Sequence, residues 1–521
     1  MKHRLFAMAV SAALTLAAFN ALAQTSVKSQ RMIVVLKPSE VARQVARVGE
    51  RIDNVFVDQR YQKSPKLWNA VSLPTALLIR DLENQHGARA GLAFGAFSHG
   101  FASDLTTQQV ESLKADARVQ SVFPDAVGTL AANWTNLPEV TYSSTYTRGW
   151  NVSAIGADTA SSRYRTDSDY PVKAFVLDAG VQPHADLNYN PSTSAWSFDI
   201  HGNPDEYGNS CTPHATHVAG IIGAYRSPAN VGVEGVAPGA VIWSMKIINY
   251  CRTELDPYPG LVYMSSVLTA INAIDGQTGI PKQSGVAQQR LRAVANMSVL
   301  WDAVGGPLFM DLEARKLLRS TMKTAVDNGI FFSVAGGNAE RNAAEFYPGA
   351  VGCALYDPAE PGVLQAAVGG VMGVGAIQAS GAPMDRSGYE AGKIASYGGC
   401  VKIWAPGQSV YSTVAQTLLP YPSEPGSPIP YPLVADMSYW NPWKGQASGY
   451  LGQHYYDEMS GSSMAAPHIA GAALLYAKLR QADGQALPYP WEIENFLLSR
   501  SAASVPAYHG SPVNLINVSG W

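Results

Sequence analysis

From residue 171 onward the sequence predicts an α/β fold, a parallel sheet flanked by helices, preceded by a small α+β unit. Two observations carry this. Short apolar runs of strand length alternate with helical segments through residues 171–521, the pattern that builds a parallel sheet covered on both faces. Ahead of them, residues 31–125 hold only a few strands and helices and give way to a polar, aperiodic stretch, residues 128–148, with the composition of a linker or extended surface segment. A chain of 521 residues has room for both units and a large core.

The first 23 residues stand apart. Lys2, His3 and Arg4 form a basic start, residues 5–22 are mostly apolar, and Ala21-Leu22-Ala23 is a small-x-small cleavage site, which together describe a secretory signal peptide. The mature protein is therefore expected to be soluble and secreted, extracellular or periplasmic. No later stretch is apolar for long enough to span a bilayer, so no membrane partner is expected. A net charge of -3 with 15% charged residues gives no basic surface for nucleic acid. In an exported chain the four cysteines, Cys211, Cys251, Cys353 and Cys400, imply two disulfides, and spacing alone leaves three pairings open.

In chain order, residues 32–37 read as a strand and residues 38–49 as a polar helix. Residues 93–105 look extended, Thr106 with Gln109 forms a capping box opening a helix over 110–115, and residues 118–122 close the unit as a strand. The larger unit begins with a strand at 172–177. A helix from about Thr216, a strand at 241–248, a helix at 265–274 and a strand at 293–299 follow. An amphipathic helix over 308–326 leads to strands at 330–334, 371–377 and 401–404, and an almost uniformly apolar helix begins at Ser463 and runs to Leu479. Pro467 is compatible with that helix if it lies in the first turn, where its missing N–H has no intrahelical partner. Residues 417–452 are rich in Pro, Tyr and Trp with little periodicity and read as a long loop over the site.

Four residues in this series carry chemistry. Asp178 ends the strand Phe175-Val176-Leu177-Asp178, His214 opens the helix His214-Ala215-Thr216-His217, Asn338 follows Ala335-Gly336-Gly337 at another strand end, and Ser463 sits in Gly461-Ser462-Ser463-Met464-Ala465 at a helix start. Singly, each has a local explanation: a turn aspartate, an ordinary helix-start histidine, a Gly-Gly-Asn turn and a helix-capping serine. Together they fall at strand ends or helix starts of one α/β unit, hence on one rim. A serine nucleophile needs a base, the base needs a carboxylate to fix its tautomer, and the tetrahedral oxyanion needs donors. All four roles are filled.

On these motifs the chain resembles the subtilisin-like serine proteases. The three signatures match at residues 175–181, 214–220 and 461–471, with further similarity at Gly235-Val236-Ala237-Pro238-Gly239-Ala240, Asn296-Met297-Ser298 and Trp404-Ala405-Pro406-Gly407. The resemblance implies a subtilisin-like fold and a serine endopeptidase in which Asp178 orients, His214 is the base, Ser463 attacks, and Asn338 with the Ser463 backbone N–H holds the oxyanion. It implies that Ser298, Val299, Leu300, Ala335, Gly336 and Gly337 line the substrate, and that a monomer acts on polypeptide substrates without a cofactor for the chemistry. Residues 24–127 resemble the inhibitor-type propeptide of the same family, above all in Ser98-His99-Gly100-Phe101-Ala102 and Val122-Phe123-Pro124-Asp125. That implies a zymogen whose propeptide templates folding, inhibits, and is removed by a cut between about Asp125 and Trp134. Residues 128–170 are then a linker and the N-terminal segment of the peptidase domain at 171–521. The cysteines resemble the proteinase K and aqualysin-like branch, which implies Cys211 with Cys251 and Cys353 with Cys400.

The chain also departs from the family. Pro213 and Ala215 flank His214 where glycines are usual, Ala179 replaces a hydroxyl residue after Asp178, and Leu300 replaces a glycine of the substrate-pairing strand. With the loop at 417–452, these changes point to a restricted specificity. Asp199, Asp205 and Glu206 form an acidic loop that is read as solvated, so no metal is assigned and no structural calcium is given residues. Two rival readings are a catalytically silent peptide binder, suggested by Pro213, Ala215 and Leu300, and a nucleotide-binding α/β protein. The second needs a Gly-rich phosphate loop after the first strand, and Asp178-Ala179-Gly180-Val181-Gln182-Pro183 is not one.

Overall fold

The computed structural model describes residues 29–48, 71–130, 149–159, 170–190, 194–198, 214–225, 232–248, 261–305, 308–357, 359–387, 394–414 and 455–521. The signal-peptide segment, Asp199, Asp205, Glu206, Cys211, Pro213, Cys251 and residues 417–452 lie outside the described residues.

The N-terminal unit is an antiparallel sheet in the order β2-β3-β1-β4, made of β1 (Gln30–Leu36), β2 (Leu92–Phe94), β3 (Gly100–Leu105) and β4 (Val119–Pro124). Its helices are α1 (Pro38–Val48), α2 (Leu73–His86) and α3 (Thr107–Lys114). The capping box forms as the sequence predicts: the Thr106 hydroxyl accepts from the Gln109 N–H, and the Gln109 side chain accepts from the Thr106 N–H. Because side chains alternate along a strand, β1 has two apolar faces. Met32, Val34 and Leu36 pack with Val41, Ile79, Leu82 and Leu113 in a core of their own, while Ile33 and Val35 belong to the main core of the chain.

β5 (Val127–Leu130) leaves this sheet, although the sequence reading places residues 128–130 in a linker. It forms a second sheet in the order β13-β11-β5-β9 with β9 (Leu261–Tyr263), β11 (Val299–Asp302) and β13 (Phe346–Tyr347).

The main sheet has the order β20-β21-β17-β16-β12-β10-β6-β8-β7. Its parallel strands are β6 (Lys173–Asp178), β7 (Ala195–Ser197), β8 (Ile242–Lys246), β10 (Ala293–Met297), β12 (Ile330–Ala335), β16 (Val371–Ile377), β17 (Ile403–Pro406) and β21 (Ser511–Ile516). One edge departs from the parallel pattern, because β20 (Ser501–Tyr508) folds back on β21 as an antiparallel hairpin. Short ribbons pair β14 (Leu355–Tyr356) with β15 (Leu364–Gln365) and β18 (Val410–Val414) with β19 (Tyr455–Met459). Around the sheet lie α4 (Trp150–Ala154), α5 (His214–Gly223), α6 (Met264–Gln277), α7 (Leu312–Asp327), α8 (Ser462–Ala482) and α9 (Pro490–Ser499). α8 is the central one: every residue from Ser462 to Lys478 is buried, and it packs on β10, β12, β16 and α5.

α7 starts later than periodicity alone suggests. The Asp311 carboxylate accepts the Ala314 N–H at 2.8 Å and fixes the helix start there. A disulfide joins Cys353 to Cys400 across 5.1 Å between Cα atoms. Among the described residues no helix is long and apolar enough to cross a membrane.

The exit of β11 is held by a buried ion pair. Arg315 on α7 donates to both carboxylate oxygens of Asp357 at 2.9 and 2.7 Å and to the carbonyls of Ala303 and Met310. Asp357→Ala would leave a buried guanidinium uncompensated, and is expected to cost about 3–5 kcal/mol of stability in urea denaturation.

Candidate active site

Parallel strands end on one rim, and the structure pairs Asp178 with His214 and sets Asn338 beside the start of α8, which carries Ser463. Asp178 is the last residue of β6 and His214 the first of α5, and both are fully buried. The His214 Nδ1 lies 2.8 and 2.9 Å from the two carboxylate oxygens of Asp178. A carboxylate accepts only, so Nδ1 carries the proton and Nε2 is left as the basic nitrogen. The backbone N–H of Ala179 donates to Asp178 Oδ1 at 2.6 Å, a contact that needs no hydroxyl at position 179. The methyl of Ala215 lies in the hydrophobic core.

Ser463 is the second residue of α8, with Gly461 in the capping position at φ 151°. Pro467 is not in the first turn, as the sequence reading required, but is the sixth residue of the helix. Its missing N–H would have bonded the carbonyl four residues back, that of Ser463. The Ser298 hydroxyl donates to that carbonyl instead at 3.0 Å, and itself accepts from the Asn296 side chain at 3.0 Å. In return the Ser463 hydroxyl donates to the Ser298 carbonyl at 3.4 Å. The carbonyl of Ala466 takes a similar bond from the Ser333 hydroxyl at 2.7 Å.

Asn338 follows β12. Its Oδ1 accepts the Ser462 N–H at 2.7 Å, which orients the amide beside the start of α8, and the Ser462 hydroxyl accepts the Gly337 N–H at 3.1 Å. Gly337 has φ 106°, a conformation that favours glycine. Ala335, Gly336 and Gly337 are buried under this turn, the Gly336 N–H donating to the Val374 carbonyl at 2.9 Å. Val299 and Leu300 belong to β11, where Val299 pairs with Leu130 and Leu300 with Thr129 of β5. On its other edge β5 pairs with β9, Gly128 opposite Val262. Residues 127–130 thus run antiparallel between two strands beside the Ser298–Ser463 contact.

Further contacts that sequence reasoning missed hold this arrangement. The Asp125 carboxylate accepts the Ser265 N–H at 3.0 Å and the Ser265 hydroxyl at 2.5 Å at the start of α6, and receives Arg31 Nε at 3.0 Å. Burial pushes the Asp125 carboxyl up, opposed by Arg31 and by the bonds from Ser265. On the same helix Asn272 Oδ1 accepts three backbone N–H groups, from Ala96, Phe97 and Ser98, at 2.8, 2.6 and 3.2 Å. A buried asparagine among the apolar positions of α6 was the available signal.

His468, on α8, is also fully buried. Its Nδ1 donates to the Met464 carbonyl at 2.8 Å and its Nε2 accepts from Asn151 Nδ2 at 3.0 Å, a pattern that needs the neutral ring. Burial pulls its pKa down to about 4. Between that value and the unfolded value near 6.5 only the unfolded chain binds the proton, so stability is lost as pH falls through this window. The His468→Gln variant is expected to show a flatter dependence from pH 7 to 4.5, by roughly 2–3 kcal/mol, in urea denaturation. Ser298→Ala, which strips the donor from the Ser463 carbonyl, is expected to cost about 1–3 kcal/mol by the same measurement, and Ser298→Thr less.

The model of the subtilase family, Peptidase S8, matches residues 172–504. The subtilisin-like serine protease AsES of Sarocladium strictum is 26% identical over 400 residues, 75% of this chain and 73% of that protein. Subtilisin E of Bacillus subtilis is 25% identical over 398 residues, 76% of this chain and 74% of that protein. Among solved structures, fervidolysin of Fervidobacterium pennivorans, a keratinolytic enzyme related to subtilisin, covers 94% of this chain and 60% of its own with TM-score 0.52 and 18% identity, a likeness of fold.

Proposed function

The chain belongs to the subtilase family and is a serine endopeptidase, and on that premise we propose that it is secreted as a zymogen that processes itself. The observation that carries the reading is the buried Asp178–His214 pair on the rim that also bears Ser463 and Asn338. In this reading Asp178 holds the His214 tautomer, and His214 Nε2 takes the Ser463 proton as Oγ attacks the scissile carbonyl. The Asn338 amide and the Ser463 N–H, at the positive end of α8, receive the oxyanion. His214 returns the proton to the leaving amine, and water then resolves the acyl-enzyme. The chemistry calls for no cofactor.

Residues 24–127 act as the inhibitory propeptide. The support is threefold: β5 runs antiparallel between β9 and β11 as a bound peptide strand would, Asp125 caps α6, and Asn272 gathers three amides of the loop after β2. The Cys353–Cys400 disulfide supports the proteinase K and aqualysin-like branch. Secretion rests on the basic, apolar and small-residue pattern of residues 1–23. The mature enzyme works as a monomer on polypeptides.

Expression of wild type beside Ser463→Ala tests this reading. An uncleaved precursor is expected in the variant alone, with fluorophosphonate labelling in the wild type alone. A wild type that neither matures nor labels would favour the silent peptide binder. Asn338→Ala is expected to lower kcat by roughly 100- to 1,000-fold with the label still taken.

A further inference from the structure

The restricted specificity expected from Leu300 has a more definite source one residue further along β11. The pairing of Leu300 with Thr129 and Val299 with Leu130 brings Gly128, the preceding residue of β5, against Trp301, the next residue of β11. Trp301 is fully buried, and its strand pairs on the other edge with β13, Trp301 opposite Tyr347. Among the described residues its ring N–H has no hydrogen-bond partner, and packing alone holds it in place.

Gly128 is buried against this ring. A Cβ added there would lie 2.5 Å from Trp301 Cε2, 2.7 Å from Trp301 Nε1 and 2.7 Å from the Leu300 carbonyl oxygen. None of these is the end of a flexible side chain. The φ of Gly128 is not in the positive region, so the backbone conformation does not demand glycine here. The indole and the closeness of the strands do.

We propose that Trp301 makes this enzyme selective for glycine at the substrate residue that occupies the position of Gly128. The inference rests on reading β5 as a stand-in for bound substrate. A side chain there must push back the indole, the Leu300 carbonyl or the whole peptide strand, and each shift displaces the residues between it and Ser463. Glycine alone lets a peptide lie between β9 and β11 in this register. Strand pairing then supplies affinity, and the missing Cβ supplies selection.

The test uses quenched fluorescent peptides with the sequence of residues 124–135, carrying Gly, Ala, Val or Phe at the position of Gly128, and the self-processed wild-type enzyme titrated with fluorophosphonate. Relative to glycine, kcat/KM is expected to fall about tenfold for Ala and about 100-fold for Val and Phe. In Trp301→Ala and Trp301→Leu, each normalised to its labelled fraction, the penalty for Val is expected to shrink at least about tenfold. Labelled wild-type enzyme that cleaves the glycine peptide no faster than the others overturns the proposal while leaving the peptidase reading intact. A glycine preference unchanged in both variants assigns it to the Leu300 carbonyl and overturns the role of Trp301. Wild-type enzyme that takes no label overturns the peptidase reading itself, and this inference with it.

Discussion

A proline in α8 removes the donor that would have closed the helix over the Ser463 carbonyl, and the Ser298 hydroxyl replaces it. The rest of the site depends on that substitution of a strand-end side chain for a helical N–H. It ties the start of α8 to the junction between β10, in the centre of the main sheet, and β11, in the sheet that receives β5. Ser463 and the strand beside it therefore share one fixed point. Asn338 adds a second by holding the Ser462 N–H, so α8 is anchored laterally at its first two residues from two different strands. Both anchors are made from neutral groups and leave the electrostatics of the rim to the buried Asp178–His214 pair.

The small sheet works on two sides. One face closes a core against α1, α2 and α3, and the other merges with the core beneath α6. Apolar contact of this kind is non-directional and would tolerate sliding. Asp125 at the first turn of α6 and Asn272 further along it supply direction, since each accepts backbone N–H groups at a defined place. Asp125 stands just ahead of β5, so its bonds to Ser265 fix the point from which β5 enters between β9 and β11.

Much of this was legible in the sequence because the main strands are continuous apolar runs and the chemical residues sit at their ends, where the fold class alone puts them on one rim. The strand over residues 371–377 was read to its true bounds, and the Thr106–Gln109 capping box is local chemistry that needs no tertiary context. What escaped depends on partners distant in sequence. β5, Val127-Gly128-Thr129-Leu130, is too short to carry a period of its own, and is a strand only because β9 and β11 flank it. The β20–β21 hairpin turns through His509 and Gly510, both at positive φ, in place of the Asn-Gly pair that marks such a turn. Pro467 was placed a turn too early because the substitute donor, Ser298, lies 165 residues away.

Asn272 is a neutral acceptor where an aspartate would be a charged one. An aspartate in its place would present a full charge to the same three N–H groups, with bonds roughly twice as strong as a neutral acceptor makes. The amide gives the same geometry with a weaker grip. In the proposed zymogen the two parts are no longer joined after the cut, and contacts such as this one then hold them together. On that reading, a neutral acceptor on α6 favours release of the N-terminal unit over a lasting grip.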